Sequence, residues 1–406
     1  LACILGLLFG CKPKDFTPIA KQEFHYNHQV FEENKLAPRA TFFAFENPDI
    51  SSKENSQRFF NLNGTWKFHW VKDPKKRPTT FQHEDYDDSD WKTIPVPANW
   101  EVEGFGTPIY VNHQYEFTDY KAMIADDMEL VDRIYPKKPG KVPHKYNPVG
   151  SYRRDFTIGK NWNGKEIFLH IGAMKSGGFV WLNGKYIGYS QGSKLPAEFN
   201  ITKATKKGKN TIAIQIFRWT DGSYLECQDF WRISGIERDV YIYAQPKTRI
   251  KDFEVLSTLD KTFENGVLEL DIELKNHLSK NKKIVISYQL FDGTKILSEN
   301  TKTLEISKNN TTSNLFKTSI KNVKSWSAEH PNLYDLQITL KNNKSETLET
   351  INRKIGFRSV EIKNGLLLVN GQRITLKGVN TQEHNPETGH VVNESQILKD
   401  IQLWKE

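Results

Sequence analysis

From residue 58 to residue 357 apolar and polar side chains alternate in run after run, with turn residues between the runs. A period of two sends successive side chains to opposite faces, which is the signature of a strand rather than a helix. WKFHWV (66–71), SYRRDFTI (151–158), EIFLHIGA (166–173), FVWLNGKYIGY (179–189) and TIAIQIFRW (211–219) carry the pattern. Asn183-Gly184 falls between two apolar runs, a pairing that favours a two-residue hairpin turn. Helical periodicity is almost absent here, so residues 58–246 are expected to form a β-sandwich. The stretch 118–147, rich in Pro, Lys and Asp, interrupts it as a long loop, a length usually reserved for function or mobility.

A second all-β unit is expected over 247–357. GVLELDIEL, KIVISYQLF and LYDLQITL alternate well, and about 110 residues with this spacing suit an immunoglobulin-like sandwich. The pattern then changes. LLLVNGQRITLKGVN (366–380) reads as a hairpin turning at Asn370-Gly371 and running into one more strand. The loop TQEHNPETGHVV follows, then NESQILKDIQLWKE. Asn393 can cap a helix there, Gln396 three residues on fits a capping box, and Ile397, Ile401 and Trp404 share one face. Strand, loop and helix make one β/α unit, and one unit cannot cover a parallel sheet. A (β/α)₈ barrel needs about 250 residues, whereas 358–406 supplies fewer than fifty. The chain is therefore expected to be a fragment, with 358–406 the start of a truncated TIM barrel.

Composition narrows the function classes. Charged residues are 26% and hydrophobic residues 37%, which suits packed domains rather than disorder. The net charge of +8 is moderate for 406 residues. The lysine clusters KKGK (206–209) and KNKK (280–283) lie between strand-like runs and read as solvated turns, with no nucleic-acid motif beside them. The opening LACILGLLFGC is an apolar run too short to span a bilayer, and it looks like the core of a secretory leader over 1–11. Leu8-Phe9-Gly10-Cys11 resembles a bacterial lipoprotein signal, which implies a lipid anchor at Cys11 and a periplasmic or outer-membrane location. With Cys11 lipidated, Cys227 is left without a partner, so a disulfide framework is not expected. Residues 12–57 are polar and read as a tether followed by an extended arm over the first domain.

Three stretches carry candidate chemistry. WTDGSYLECQDFWRISGIERDV (219–240) crowds acids and aromatics behind an Asp-Gly turn signal. It is either a capped strand corner or a ligand loop in which Asp221, Glu226 and Asp229 accept sugar hydroxyls or a cation. A glycosidase pair inside it is not expected, since a retaining pair holds its carboxyls about 5–5.5 Å apart across the scissile bond. VPANWEVEGFGTPIYVN (96–112) offers Asn99 as donor and acceptor, and Trp100 either as a sugar face or as a buried ring. GVNTQEHNP (378–386) places Glu383 and His384 after the first barrel-like strand, where barrel active sites lie. His25 and His28 read as solvated, with no third metal ligand. No phosphate loop, dinucleotide fingerprint or Ser-His-Asp set is present.

These stretches, in this order, resemble the large bacterial β-galactosidases of glycoside hydrolase family 2. FNLNGTWKFHW, VPANWEVEGFGTPIYVN, NPVGSYRRDFTI, SKLPAEFNIT, WTDGSYLECQDFWRISGIERDV, WSAEHPNLYDLQI with IGFRSVEI, and NGLLLVNGQRITLKGVN carry the likeness from about residue 30 to 406. It implies a jelly-roll-like sugar-binding sandwich, then the immunoglobulin-like sandwich and the barrel. It implies a retaining exo-β-galactosidase whose substrate is a β-galactoside oligosaccharide, with a homo-oligomeric full-length protein. By the same resemblance Asn99 contacts the galactosyl unit, and Asp221 contacts galactose and helps ligate sodium. Gln382, Glu383 and His384 then belong to the active-site loop. The acid/base and nucleophilic glutamates and the Mg2+ ligands fall beyond Glu406, so these 406 residues alone are expected to be inactive. Two departures stand out. Thr381-Gln382 replaces Arg-His, removing a galactosyl contact that can carry charge, and Cys227 replaces an Asp. The first opens sugar preference, with a β-glucuronidase-like enzyme as one alternative. A non-catalytic carbohydrate-binding protein of two sandwiches is another, and the half-started barrel argues against it.

Overall fold

The computed structural model describes residues 19–111, 141–142, 146–226 and 229–406. The leader with Cys11, most of the 118–147 loop and Cys227 lie outside these residues. The alternating runs become strands as their periodicity demands. Gly64–Val71, Val149–Thr157, Lys209–Phe217, Gly177–Leu182 and Lys185–Gln191 join a seven-stranded antiparallel sheet. Ala197–Asn200, Glu166–Ile171, Val240–Gln245 and Phe59–Asn61 form the four-stranded sheet that faces it. Trp66, Phe68, Leu169, Ile171, Val180, Ile214 and Ile242 fill the space between, all essentially buried. The larger sheet is buried on its other face as well, where Phe81, Trp91, Phe179, Trp181 and Phe217 pack together. That double burial explains why TIAIQIF is apolar almost throughout instead of strictly alternating. Asn183 and Gly184 take φ of +52° and +75°, the left-handed pair of a tight hairpin turn.

The second sandwich pairs a three-stranded sheet with a four-stranded one over Thr248–Ile355. In Gly266–Asn276 every second residue is buried, a strict period of two that packs Leu268, Leu270, Ile272 and Leu274 into the core. Here one face meets solvent, so the alternation stays clean. The two sandwiches are riveted by charge and by the arm. Arg39 donates Nε and Nη2 to the two carboxylate oxygens of Glu198, 2.9 Å each, and the next amide, Ala40 N, donates to Asp252 of the second sandwich. Glu32–Glu33 pairs with the edge at Tyr189 and Ser190, and Phe45 bridges Thr350. The arm thus spans both sandwiches rather than the first alone. It also buries His25, whose ring stacks on Phe217 at 3.7 Å. His25 is therefore a packing residue and not the solvated one expected, while His28 is exposed.

After the second sandwich come the hairpin strands Val360–Lys363, Leu366–Val369 and Gln372–Arg373, turning at Asn370-Gly371. The strand expected through Lys377–Asn380 is not formed: 374–384 carries no ladder. A strand exists only when a neighbour takes its amide and carbonyl groups, and among the described residues none is paired with this one. Helix Glu394–Lys405 does form, with Asn393 Oδ1 accepting from Gln396 N at 2.9 Å. Gln396 does not close the capping box. Its side chain accepts from Asn385 Nδ2 (2.7 Å) and donates to His384 O (3.2 Å), tying the helix to the loop before it. Ile397, Ile401 and Trp404 share an exposed face, as a barrel helix does before its neighbours are added.

Candidate functional site

The loop 381–392 lies on the first sandwich, and the contact is built from the segment around Asn99. Ala98–Asn99 is a short strand paired with Gly235–Ile236, which pairs in turn with Met174–Lys175. Gly235 has φ +133°, and a Cβ there would stand 2.3 Å from Ala98 O, so the Ser-Gly-Ile sequence is what lets these backbones touch. Beneath them Glu101 and Arg218 form a fully buried pair, 3.3 Å apart, with Ser234 N donating to Glu101 at 2.7 Å. Burial pushes the Glu101 carboxyl up to about 7 against the opposing pull of Arg218. Arg218 also donates to the Thr107 and Arg232 carbonyls, locking the 96–112 segment to the strand after the corner. Trp100 is completely buried and packs on Phe68, so it is a core ring and offers no face to a sugar.

Asn99 is 1% exposed and its carboxamide is fully used. Nδ2 donates to Glu237 Oε1 (3.1 Å) and Ser234 O (3.3 Å), while Oδ1 accepts from His390 N at 2.8 Å. The family resemblance implies a galactosyl contact for Asn99, and here its carboxamide is the peg on which the loop hangs. Gly389 is part of that fit: its φ is +67° and a Cβ would meet Ile233 at 2.6 Å and Asn99 Oδ1 at 2.7 Å. Glu237 is the hub. Its carboxylate takes Lys194 Nζ, Asn99 Nδ2 and, at 3.2 Å, His390 Nδ1. Burial alone would raise it, but the His390 and Lys194 contacts outweigh burial and hold it at about 2. His390 is pushed down by burial, with Lys194 and Lys175 adding to the effect. A neutral ring cannot both donate Nδ1–H to Glu237 and accept at Nδ1 from Lys194, 3.0 Å away. The ammonium of Lys194 is therefore the cation that keeps Glu237 ionised. Glu237, Lys194 and His390 were not singled out from sequence. One charge inside Ser-Gly-Ile-Glu-Arg and one His after Thr-Gly carry no periodic or spacing signal.

A pocket of about 460 Å³ opens above this hub, between the sandwich and the loop. Thr381, Gln382, Glu383 and His390 form one wall, with Lys194, Leu225, Glu226 and Phe230 opposite. The 219–240 corner therefore does face the barrel loop, through Leu225 and Glu226. Glu226 is set by Ser193, which donates from its amide (2.9 Å) and its hydroxyl (2.5 Å). Asp221 stands apart. It starts the single turn Asp221–Tyr224, in which Thr220 and Ser223 cap each other. Its Oδ1 accepts from Gln191 Nε2 at 2.9 Å, and burial raises its carboxyl, partly offset by Gln191. Ser176 bonds Thr220 and Ser223 at 2.7 and 3.1 Å. Two strand spacings, about 10 Å, separate its neighbour Lys175 from Asn99 across the small sheet. Among the described residues no hydrogen bond links Asp221 to Asn99, Gln382, Glu383 or His384. The corner is thus both alternatives at once, a capped turn at Asp221 and a pocket wall at Leu225–Glu226.

Gln382 and His384 reach the other side of the corner. Gln382 Nε2 donates to Asp229 O at 2.5 Å, and the His384 ring lies parallel to Trp231 at 6.5 Å. Trp231 and Tyr110 are paired on the ribbon Phe230–Arg232 with Ile109–Val111, and both are substantially exposed. They supply the open aromatic faces that Trp100 does not. Among the described residues no three His, Cys, Asp or Glu side chains converge as metal ligands. Asp221 brings one carboxylate, half engaged by Gln191. That can be one oxygen of a sodium shell but not a shell, and nothing here completes a magnesium site.

Two sandwiches are followed by a hairpin, a loop and one helix, with a polar pocket where the loop meets the first sandwich. Residues 59–246 match the sugar binding domain of glycosyl hydrolases family 2, residues 248–358 match glycosyl hydrolases family 2, and residues 360–406 match its TIM barrel domain. The chain belongs to glycosyl hydrolases family 2. It is 35% identical over 392 residues to a beta-galactosidase of Priestia megaterium, covering 95% of this chain and 36% of that one. A beta-galactosidase of Halalkalibacterium halodurans is 35% identical over 379 residues, 93% of this chain and 35% of that one. The chain thus spans about a third of the length of the curated relatives it matches. A Bacteroides uniformis beta-glucuronidase shares the fold at TM-score 0.70 and 22% identity, over 86% of this chain and 38% of that chain. A beta-glycosidase from Bacteroides vulgatus does so at TM-score 0.64 and 22% identity, over 86% of this chain and 40% of that chain.

Proposed function

We propose that this chain supplies the recognition wall of a retaining exo-β-galactosidase, which removes terminal non-reducing β-D-galactose from β-galactosides. The observation that carries the reading is the docking of the 381–392 loop on Asn99 and Glu237, which brings Gln382 and Glu383 across from Glu226. The name shared by the two bacterial relatives supports it. In this reading the barrel performs the chemistry. One carboxylate attacks the anomeric carbon while the other protonates the leaving oxygen and then activates water. Gln382, Glu383 and Glu226 hold sugar hydroxyls, Trp231 offers an apolar ring face, and Asn99 is a positioning residue. Sodium at Asp221, magnesium elsewhere in the parent protein, homo-oligomer assembly, export and a lipid at Cys11 belong to the same proposal.

The test is a panel of aryl glycosides. A protein in which this chain is continued by a complete barrel should cleave aryl β-galactoside, and Trp231→Ala should raise KM about tenfold, the loss of one stacked face. These 406 residues alone should release no nitrophenol. Cleavage by the short chain would overturn the division of labour. A second reading, an enzyme for β-glucuronides, is favoured by the cations Lys194 and Arg238 on the pocket wall. It wins if aryl β-glucuronide is turned over faster than the galactoside.

A further inference from the structure

We propose that the groove where the two sandwiches meet binds an anionic carbohydrate chain, a glycan bearing carboxylates or sulfates. This groove, about 450 Å³, shares no lining residue with the pocket at the barrel loop. It runs between the 163–165 turn of the first sandwich, the junction at Pro246–Thr248, and the strand ends of the second. Lys165, Lys247, Lys282, Lys283 and Lys344 line it, facing a single carboxylate, Glu346. Glu346 Oε2 accepts from Asn342 Nδ2, also in the lining, at 2.6 Å. Among the described residues none of the five lysines forms an ion pair. Some lysines elsewhere on these sandwiches are held in ion pairs, as Lys209 with Asp155, Lys251 with Glu273 and Lys354 with Asp335. Like charges gathered without counter-charge repel one another in the free protein, and an anionic ligand removes that cost.

Two groups beside the groove are shifted, each mainly by burial. Lys165 is held below the usual lysine range by burial and then by the Arg58 charge. His277 donates its amide to Lys247 O at 2.8 Å. Its ring is pushed down to about 4 by burial, then by Arg249, Lys275 and Lys247. The KNKK run, which reads from sequence as a solvated turn, thus supplies two of the lining cations.

Shape and lining select the ligand. The site is concave, so a flat bilayer cannot follow it, and it presents none of the exposed large apolar side chains that interfacial binding uses. No aromatic ring lines it, which removes the stacking platform that single-stranded nucleic acid needs. Asn163 and Asn343 add exposed carboxamides between the ammonium groups, the mixture that suits hydroxyls alternating with anions.

Calorimetry on the chain tests this with oligogalacturonate, a dextran sulfate oligomer and neutral dextran as probes. We expect binding to at least one anionic glycan and none to neutral dextran, and the stronger of the two anionic probes names the preferred group. The variant Lys282→Glu/Lys283→Glu/Lys344→Glu should weaken binding at least tenfold. The same charge change at exposed sites away from the groove, Lys185→Glu/Lys295→Glu/Lys363→Glu, should weaken it less than threefold. If the first variant does not fold by circular dichroism, the corresponding triple Gln variant takes its place. Equal weakening by both sets would overturn the proposal, as would no binding to either anionic glycan or binding only to phosphatidylglycerol vesicles. This site does not depend on the sugar proposed for the other pocket, so glycoside cleavage and groove binding succeed or fail separately.

Discussion

The first sandwich has two seams, one to the barrel loop and one to the second sandwich, and each hides a carboxylate, the two shifted in opposite directions. Glu237 at the loop seam is held at about 2, whereas Glu349 at the sandwich seam is pushed up to about 7. Burial is the largest influence on both. The difference is who reaches the oxygens. Glu237 is touched by the Lys194 ammonium, while Glu349 receives the Ile250 amide (2.7 Å) and the Gln245 carboxamide (3.0 Å), with Arg58 and Arg249 acting only through space. Neutral donors satisfy hydrogen bonding without cancelling the cost of a buried charge, and a contacting cation does both.

The sharpest way to break this comparison is to neutralise each carboxylate at pH 7. Glu237→Gln should cost about 3 kcal/mol, because its amide would point N–H groups at Lys194 or Asn99 and leave a charge uncompensated. Glu349→Gln should cost under about 1 kcal/mol, since Gln245 can flip to meet it. Urea unfolding followed by Trp fluorescence measures both, and equal losses would remove the distinction.

Next in size is pH. Glu237 has its folded pKa below the ordinary value near 4.5, so its contribution is complete above about 4.5 and is lost as pH falls toward 2. Glu349 and Glu101 have theirs raised to about 7, so their favourable contribution is present below about 4.5 and disappears as pH rises through 7. Stability from these groups should peak near pH 4.5–5. Glu237→Gln should shrink the acid limb, to which Glu198, also held at about 2, contributes as well, and Glu349→Gln should shrink the other. Each group is worth at most about 3 kcal/mol at 1.36 kcal/mol per pKa unit.

Gly389→Ala should cost about 1–3 kcal/mol, from the positive φ and the collision with Asn99 and Ile233. Gly208→Ala, at φ +79° with nothing within 4 Å, should cost about 1 kcal/mol. Hydrogen exchange should then show the His390 amide losing protection only in the first variant. The smallest effect concerns His277. Its Nδ1 lies 2.9 Å from Glu166, yet a ring pushed down to about 4 is neutral at pH 7 and makes a hydrogen bond there rather than an ion pair. An NMR titration should find no protonation of that ring between pH 7 and 5.

Much of the scaffold was legible because it rests on local periodicity. The strict alternation of GVLELDIEL and the Asn183-Gly184 turn dictate their own faces and corner, and Asn393 caps its helix from three residues away. The site was legible in part. The three segments singled out in the sequence meet around one pocket, but the contacts inside them were not legible. Asn99 hydrogen-bonds the barrel loop, Trp100 takes the buried alternative, and of the corner's acids Glu226 lines the pocket. These placements depend on partners distant in the chain, from Ser193 for Glu226 to His390 for Asn99, and no spacing rule encodes that.

Strand alternation, turn chemistry and helix capping need only neighbouring residues, so the amino-acid order alone determined two sandwiches and the opening of a barrel. Which buried acid carries charge, which amide is spent on the protein and where five unpaired lysines meet were decided only by the tertiary structure. Those properties come from desolvation and Coulomb energy between distant parts of the chain, and both exist only once packing has set the distances.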